Sequence, residues 1–430
     1  MTDRTGRAPS AFRLNLEQQR NRAKDLLRDA KAGNTQAISR LAAVRRDSIV
    51  TLKLADAQFV IAHELRFASW ARLKTHIESM DRQSVAIGEK LPPPDGELKT
   101  LHIRPGCDIQ QALLEGGFVG DFMEHATPYC QGPVTMGPER HELMARFLVN
   151  AFPDAHGGLV YERELEGLAL GEERLHRTAE DYERVVLWVE HCSYCQLVLA
   201  RLLAHYANAK RPRVLELITV NDFPGSQHFR GIGVLPPEAL RLLWQTRKPV
   251  TPAQLALGTE GWSALASEEP RQLAAIARSG TPALPTMAPV LHRQLCELPS
   301  VRTGLSLAEQ LVLEVLAEQR RLQGILLGII MAERQGLFWI NDLGWIEVIK
   351  RMEQTSEAVL TRSLQTAPPD NSSRYHWLTI AELGRAVLRG ERDWLSLRPP
   401  ARWVGGAHIQ PGVPEWRWDE TKRDAVLRES

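Results

Sequence analysis

The sequence predicts a multidomain protein whose central part is an α/β domain with a parallel, Rossmann-like sheet. The apolar run at 182–190 (YERVVLWVE) is typical of a strand that is covered on both faces. An amphipathic helical pattern at 196–207 and a second apolar strand at 214–220 (VLELITV) follow, as in a right-handed parallel crossover. A chain of 430 residues also exceeds one compact core.

We place the α/β domain at residues 100–235. A helical module precedes it at 10–82, followed by a proline-rich linker at 83–99. A mainly helical, winged-helix-like domain follows at 236–420.

Composition limits the class of protein. Apolar residues make up 43% of the chain and charged residues 24%, which excludes disordered and fibrous classes. The first twenty residues lack the apolar stretch of a signal peptide, and the longest apolar run, 324–332, is too short to span a bilayer. We therefore expect a cytoplasmic protein with no membrane partner.

Charge and cysteine usage add two expectations. Five cysteines are an odd number and too few for a disulfide scaffold, so we expect them to be reduced. Residues 1–85 carry sixteen Lys/Arg against nine Asp/Glu, which makes the N-terminal module the basic part of a nearly neutral chain. Such a module is either a docking appendage or a surface for nucleic acid.

Helical spacing predicts four helices in the N-terminal module, at 18–32, 34–44, 54–65 and from Ser69 through 77. Ser69 can cap the last of them. The stretch LADAQFVIAHELRFASWARLKTHIE resembles the helical leader of bacterial ankyrin-like proteins. No second copy with an ankyrin-type period follows, so we expect a single module.

Further along the chain the pattern alternates between strands and helices. A short strand at 101–103 leads through a turn into a helix at 109–115. Residues 236–354 look mostly helical. A short helix at 379–388 and two β-ribbon arms at 403–406 and 416–418 suggest the winged-helix-like end.

The strongest candidate site is the turn after the 182–190 strand, because ligand sites of parallel sheets collect at the carboxyl ends of strands. It reads Glu190-His191-Cys192-Ser193-Tyr194-Cys195-Gln196. Cys192 and Cys195 form a C-x-x-C pair at a helix start, which suits thiol redox chemistry. With His191 they form a weak candidate zinc set, with Cys130 or Cys107 as a distant fourth ligand.

Two other interpretations of this turn stay open. Glu190, His191, Tyr194 and Gln196, with the two cysteines, could line a polar pocket for a small ligand or nucleotide. Alternatively, the cysteines are small buried apolar residues without chemistry.

Three more turns are candidates for the same crevice. Gly106 and Asp108 follow one strand, Asp222 follows another, and Cys130 and Gln131 lie on a polar loop. Ordinary turn chemistry explains these residues equally well. Neither a dinucleotide-binding glycine fingerprint nor a P-loop occurs.

Three segments together resemble a known family. LHIRPGCDIQQALLEGGFVGDFMEHATPYCQGPV, YERVVLWVEHCSYCQLVLARLLAHY and FRGIGVLPPEALRLLW are similar to the bacterial proteins built on domain of unknown function 1835. The resemblance covers about residues 100–420. It implies a strand, a Trp-x-Glu-His turn and a glutamine-bearing helix, and no established reaction, cofactor or partner. Cys192 and Cys195 occupy positions where the family turn has aspartates.

Two functional hypotheses follow. In the first, the α/β domain binds a small molecule or nucleotide, with or without catalysis, at the strand-to-helix turn. In the second, the protein is a regulator that contacts nucleic acid or a protein partner through its winged-helix-like end and basic N-terminal helices. The sequence identifies no cofactor.

Overall fold

The computed structural model describes residues 11–44, 52–153, 155, 158–225, 229–364 and 376–428. Residues 1–10, which belong to the first twenty residues of the signal-peptide argument, lie outside this description, as do residues 45–51 between the second and third predicted helices. Within them, no helix is both long and apolar enough to cross a membrane.

Up to residue 249 the elements are, in chain order, α1 (Leu16–Lys31), α2 (Thr35–Val44), α3 (Leu54–Glu64), α4 (Trp70–Gly88), β1 (Thr100–Arg104), α5 (Gln110–Glu115), β2 (Asp121–Glu124), α6 (Arg140–Ala151), α7 (Tyr161–Asp181), β3 (Arg184–Glu190), α8 (Ser193–Asn208), β4 (Val214–Val220), α9 (Pro237–Trp244) and β5 (Lys248–Pro249). The later elements are α10 (Pro252–Leu265), α11 (Arg271–Ser279), α12 (Met287–Leu295), α13 (Leu307–Glu318), β6 (Arg321–Leu322), α14 (Gln323–Ile329), α15 (Asp342–Met352), β7 (Leu360–Leu364), β8 (His376–Ile380), α16 (Glu382–Arg389), β9 (Arg402–Val404), β10 (Ala407–Ile409), β11 (Glu415–Asp419) and β12 (Asp424–Arg428).

The chain divides into two compact units. The first, which we call the sheet unit, comprises the described residues among 1–124, 182–190 and 212–249. The second, the helical unit, comprises those among 125–181, 191–211 and 250–430. Each is described by itself.

The sheet unit contains a five-stranded sheet in the order β2-β1-β3-β4-β5. The first four strands in this order are parallel, and β5 pairs antiparallel with β4. All seven residues of β3 are buried, as the continuous apolar run predicted. The predicted α/β core with a parallel sheet is confirmed, and β2 is a strand that the sequence analysis did not predict.

The four predicted N-terminal helices are also confirmed, and they belong to the sheet unit. The Ser69 hydroxyl caps α4 by accepting the Arg72 N–H at 3.2 Å. However, α4 extends to Gly88, beyond its predicted end at residue 77 and into the predicted linker. Phe12 and Met80 share a core with Trp188 of β3, so helices and sheet are packed together.

The helical unit has α8 at its centre, packed against α10 and α12. The helix was predicted to be amphipathic, but its described residues are buried along almost the whole length. At Gly258 of α10, a Cβ would lie 2.3 Å from the Cβ of Leu203, so this helix contact requires a glycine. Burial on several sides explains why α8 lacks a polar face.

The C-terminal part of the helical unit carries three small sheets. The strands β6, β8 and β7 form an antiparallel sheet in that order, accompanied by helices. The predicted ribbon arms are confirmed as the hairpins β9–β10 and β11–β12. The short helix predicted at 379–388 begins only at Glu382, because Thr379 and Ile380 pair with β7.

Candidate functional site

In the sheet unit, the predicted site residues Asp108 and Glu190 meet at Arg104, the last residue of β1. The Arg104 guanidinium binds the Asp108 carboxylate through two bonds, Nε–Oδ1 at 3.0 Å and Nη2–Oδ2 at 2.9 Å. Its Nη2 also lies 3.3 Å from Oε2 of Glu190, at the end of β3. We call Arg104, Asp108 and Glu190 the edge cluster.

A glycine-rich loop lies against the edge cluster. The backbone N–H of Ile232 donates to Glu190 Oε2 at 2.6 Å. Gly231 has a φ of +140°, a conformation that side-chain-bearing residues rarely adopt. A Cβ at Gly233 would lie 2.2 Å from Oδ2 of Asp108. Both glycines are therefore needed for the backbone to approach the two carboxylates.

The two carboxylates differ in access. The Glu190 side chain is 11% exposed, whereas that of Asp108 is 44% exposed. The arginine is 2% exposed. Two carboxylates around one guanidinium leave a formal charge of −1, with Asp108 as the acceptor that solvent or a ligand reaches. This arrangement favours ligands that donate hydrogen bonds.

The sequence analysis missed Arg104 and the Gly231–Gly233 loop. A lone arginine after a strand carries no spacing signal. The glycine pair does carry one, because two glycines around a single apolar residue, as in Gly231-Ile232-Gly233, indicate close backbone approach.

The other two predicted site residues of the sheet unit, Asp222 and Gly106, do not belong to the edge cluster. Asp222 follows β4 and forms an ion pair with Arg66, with 2.9 Å between Oδ1 and Nη1. Gly106 has a φ of +119° in the turn after β1. Asp222 thus contacts the end of the α3 segment, and Gly106 shapes the turn that presents Asp108.

The Cys192–Gln196 turn belongs to the helical unit and begins α8. Cys192 is the N-cap, and its sulfur accepts the backbone N–H of Cys195 at 3.3 Å. The backbone N–H of Ser193, the residue after the N-cap, donates to the carbonyl of Phe338 at 2.9 Å. Both cysteines are buried free thiols. Cys192 therefore fills the capping role that Asp or Ser usually performs.

The zinc set predicted from this turn is not assembled within ligand distance. The sulfurs of Cys192 and Cys195 lie within 4.8 Å of each other, but in the described part of the chain no ring nitrogen of His191 joins both at that separation. The redox and ligand-pocket interpretations of these residues, Tyr194 and Gln196 included, stay predictions.

Cys130 and Gln131, also in the helical unit, line a cavity of about 360 Å³. Gln131 donates from Nε2 to the carbonyl of Gly344 at 3.2 Å, and the carbonyl of Cys130 accepts from Gln294 at 3.2 Å. Burial raises the pKa of the Cys130 thiol to about 12. Cys130 is therefore a protonated wall residue and not a nucleophile.

A second group of polar residues in the helical unit has the composition of a metal site. Glu172 and His176 on α7 and His205 on α8 each place a ligand atom within 4.8 Å of the others. The Glu172 carboxylate, however, accepts from Arg201 Nη2 at 2.5 and 2.7 Å. A cation would have to displace this guanidinium, so we assign the group a structural role.

Neither a protein-family model nor a curated protein matches this chain. The resemblance to domain of unknown function 1835 accordingly stays a prediction.

Proposed function

We propose that this protein binds a small molecule at the edge cluster of its sheet unit. The observation that carries the proposal is the shared guanidinium. Arg104 holds Asp108 and Glu190 together where two adjacent parallel strands, β1 and β3, end. Ligands of parallel α/β sheets bind at this edge.

The charge and exposure of the cluster favour a nucleoside. Because Arg104 is already paired with two carboxylates, the cluster offers acceptors and no free cation for a phosphate. The half-exposed Asp108 can accept hydrogen bonds from the two neighbouring hydroxyls of a ribose, as acidic residues do in dinucleotide-binding sheets. The proposed ligand is therefore a nucleoside or a nucleotide bound through its sugar.

Replacing Asp108 with asparagine is expected to weaken adenosine binding. The change turns one acceptor oxygen into a donor and removes the charge that strengthens bonds from hydroxyls. The loss of one charge-assisted hydrogen bond, about 1.5–3 kcal/mol, corresponds to roughly tenfold to a hundredfold in Kd. Isothermal titration calorimetry of the full chain with adenosine and AMP measures it.

The matched control is Glu89→Gln, which removes an exposed carboxylate of the same unit that is not part of the edge cluster. It should leave adenosine affinity unchanged. The proposal fails if wild type shows no saturable binding of either compound, or if D108N binds both as well as wild type does.

A second candidate function is regulation through contact with nucleic acid. The order α13, β6, α14, α15, β7, β8, with β8 between β6 and β7, supports a winged-helix arrangement, in which α15 would be the recognition helix. The β7–β8 connection, where a wing would lie, is outside the described residues.

The charges on α15 limit how strongly the protein could bind a duplex through this helix. Lys350 is exposed, but Arg351 is only 14% exposed and pairs with Glu347, with 2.9 Å between Nε and Oε1. Asp342 adds an exposed negative charge at the start of the helix. Any affinity of α15 for the backbone phosphates of a duplex should therefore be weak and sensitive to salt.

If the candidate is correct, Lys350→Glu should abolish binding of a fluorescent random-sequence duplex at low salt. Arg146→Gln, which removes a cation on α6 outside this arrangement, should not. Anisotropy titrations at two salt concentrations decide the question. Equal binding by both variants, or none by wild type, removes this candidate.

A further inference from the structure

The cavity of the helical unit carries an excess of positive charge. Four cations line it, Arg146, Lys350, Arg351 and Arg402, against two carboxylates, Glu297 and Glu347. The lining therefore has a formal charge of +2. Its volume of about 360 Å³ falls in the range of small-molecule sites.

Both carboxylates are already engaged. Glu297 accepts from Arg293 Nη1 at 2.5 Å in a pair that is almost completely buried. Glu347 lies 2.9 Å from Arg351 Nε. Outside the lining, the charge of Arg293 is balanced by that of Glu309, which lies 3.9 Å from Arg351 Nη2, so the formal excess of this region stays at +2.

Arg402 is a largely buried cation of the lining, with a hydrogen-bond donor that no described residue satisfies. Its side chain is 10% exposed, and its Nε lies 3.8 Å from Oε1 of Glu309, which is beyond a hydrogen bond. Among the described residues, its Nη2 has no hydrogen-bond partner. Burial, together with the neighbouring charge of Arg351, lowers the pKa of Arg402 against the opposing effect of Glu309. A buried guanidinium in this state is stabilised by an added anion.

We propose that this cavity binds the phosphate group of a small phosphomonoester, with Arg402 as its principal ligand and Arg351, Arg146 and Lys350 completing the cationic lining. A phosphomonoester carries about −1.5 to −2 at neutral pH, which matches the formal charge of the lining better than the single charge of a carboxylate. The arginine fork also matches phosphate oxygens geometrically.

Aromatic residues favour an apolar or aromatic remainder on this ligand. Trp339, Phe147 and Trp403 all line the cavity. The Trp403 ring stacks on His408, with 4.4 Å between centroids, which fixes its orientation. Flat apolar groups pack well against such rings. The inference uses no residue of the edge cluster and is independent of the nucleoside site.

The test titrates the full chain with phenyl phosphate, inorganic phosphate and benzoate at constant ionic strength. Wild type should bind phenyl phosphate saturably, at least tenfold more tightly than benzoate. Arg402→Gln should weaken phenyl phosphate binding at least tenfold. Arg402→Lys, which keeps the charge but not the fork, should recover only part of that loss. Arg146→Gln should weaken binding to a smaller extent, because Arg146 is exposed.

The control is Arg389→Gln, which removes an exposed cation of the same unit that does not line the cavity and is paired with Glu391. It should bind as wild type does. No saturable binding by wild type up to about 10 mM, an affinity at the weak end for specific ligands, would overturn the proposal. Equal affinity for benzoate and phenyl phosphate would overturn it as well. So would equal losses of phenyl phosphate affinity in R389Q and R146Q. If circular dichroism shows R402Q to be unfolded, R146Q decides.

Discussion

Replacing Asp95 with alanine is expected to lower the free energy of unfolding of the sheet unit by about 3–5 kcal/mol, as when a buried charged network loses one member. Asp95 is completely buried in the segment that the sequence predicts as a linker. Its carboxylate accepts the N–H groups of Val119 at 3.0 Å and Gly120 at 2.7 Å. It also lies 3.0 Å from Nε2 of His102, which is 1% exposed.

The hydrogen-bond network fixes which nitrogen of His102 carries the proton. The indole N–H of Trp188 can only donate, and it lies 3.1 Å from Nδ1 of His102. Nδ1 must therefore accept, so the proton sits on Nε2 and points at Asp95. Without the carboxylate, three donors are left unpaired in a dry site, and each costs about 1–3 kcal/mol.

Asparagine at position 95 should lower the free energy of unfolding less than alanine does. Its side-chain carbonyl can still accept hydrogen bonds from some of these donors, whereas its NH2 group faces the others. The matched control is Asp121→Ala, which removes an exposed acid of the same sheet whose partner is the Tyr182 hydroxyl at 2.8 Å. It should cost under about 1 kcal/mol. Urea unfolding followed by hydrogen exchange of the 100–120 peptides ranks the variants. A D95A loss no larger than that of D121A contradicts the argument.

The same residue gives a pH dependence. Burial opposes ionisation of Asp95, but the His102, Val119 and Gly120 bonds outweigh it and hold its pKa below the usual 3.8. A carboxyl group with a lowered folded-state pKa contributes stability above its unfolded-state pKa and loses it as the pH falls through the folded-state value. Wild type should therefore lose more stability than D95N below about pH 4.

Strands with a continuous apolar run were predictable, whereas the exposed edge strand was not. The predicted bounds of β4 agree with the structure because VLELITV is continuous and ends at turn residues. In contrast, β2 has one buried residue, Met123, among four, so no apolar pattern marks it. Its pairing with β1 depends on tertiary contacts that sequence spacing does not reveal.

The linker prediction shows a similar limit. Three consecutive prolines favour an extended chain, and that inference says nothing about whether the chain is packed. Asp95 follows the prolines directly, but its partners lie five to twenty-five residues further on. From sequence alone, a polar residue in a proline-rich segment is expected to be exposed, because the donors that bury Asp95 come from other parts of the chain.

The candidate site was predictable in its residues but not in its organisation. Asp108 and Glu190 were singled out because one follows a strand and the other ends one, and Arg104 does bring them together. The bonding partners could not be inferred, since Ile232 is forty-two residues from Glu190 in the chain. The Arg402 cavity had no sequence signal beyond Cys130 and Gln131, because its cations come from separate elements.

Replacing Arg417 with alanine is expected to destabilise the helical unit by about 3–5 kcal/mol, since it removes the buried centre of an ionic cluster. Arg417 lies on β11, in one of the ribbon arms, and its side chain is 3% exposed. Its Nη1 donates to Asp393 Oδ2 at 2.5 Å, and its Nη2 donates to Glu415 Oε1 at 2.7 Å. Burial of Asp393 opposes its ionisation, yet Arg417 holds its pKa below the usual range.

The chain offers a matched control on the same carboxylate. Arg428 also binds Asp393 Oδ2, at 2.9 Å, but its side chain is 54% exposed. Water can replace an exposed guanidinium at little cost, so Arg428→Ala should cost no more than about 1 kcal/mol. Arg417→Ala leaves two carboxylates close together without their buried counter-charge. Urea denaturation, with hydrogen exchange of the 415–419 strand, measures both variants. Equal losses in the two would mean that burial of the guanidinium does not determine its contribution to stability.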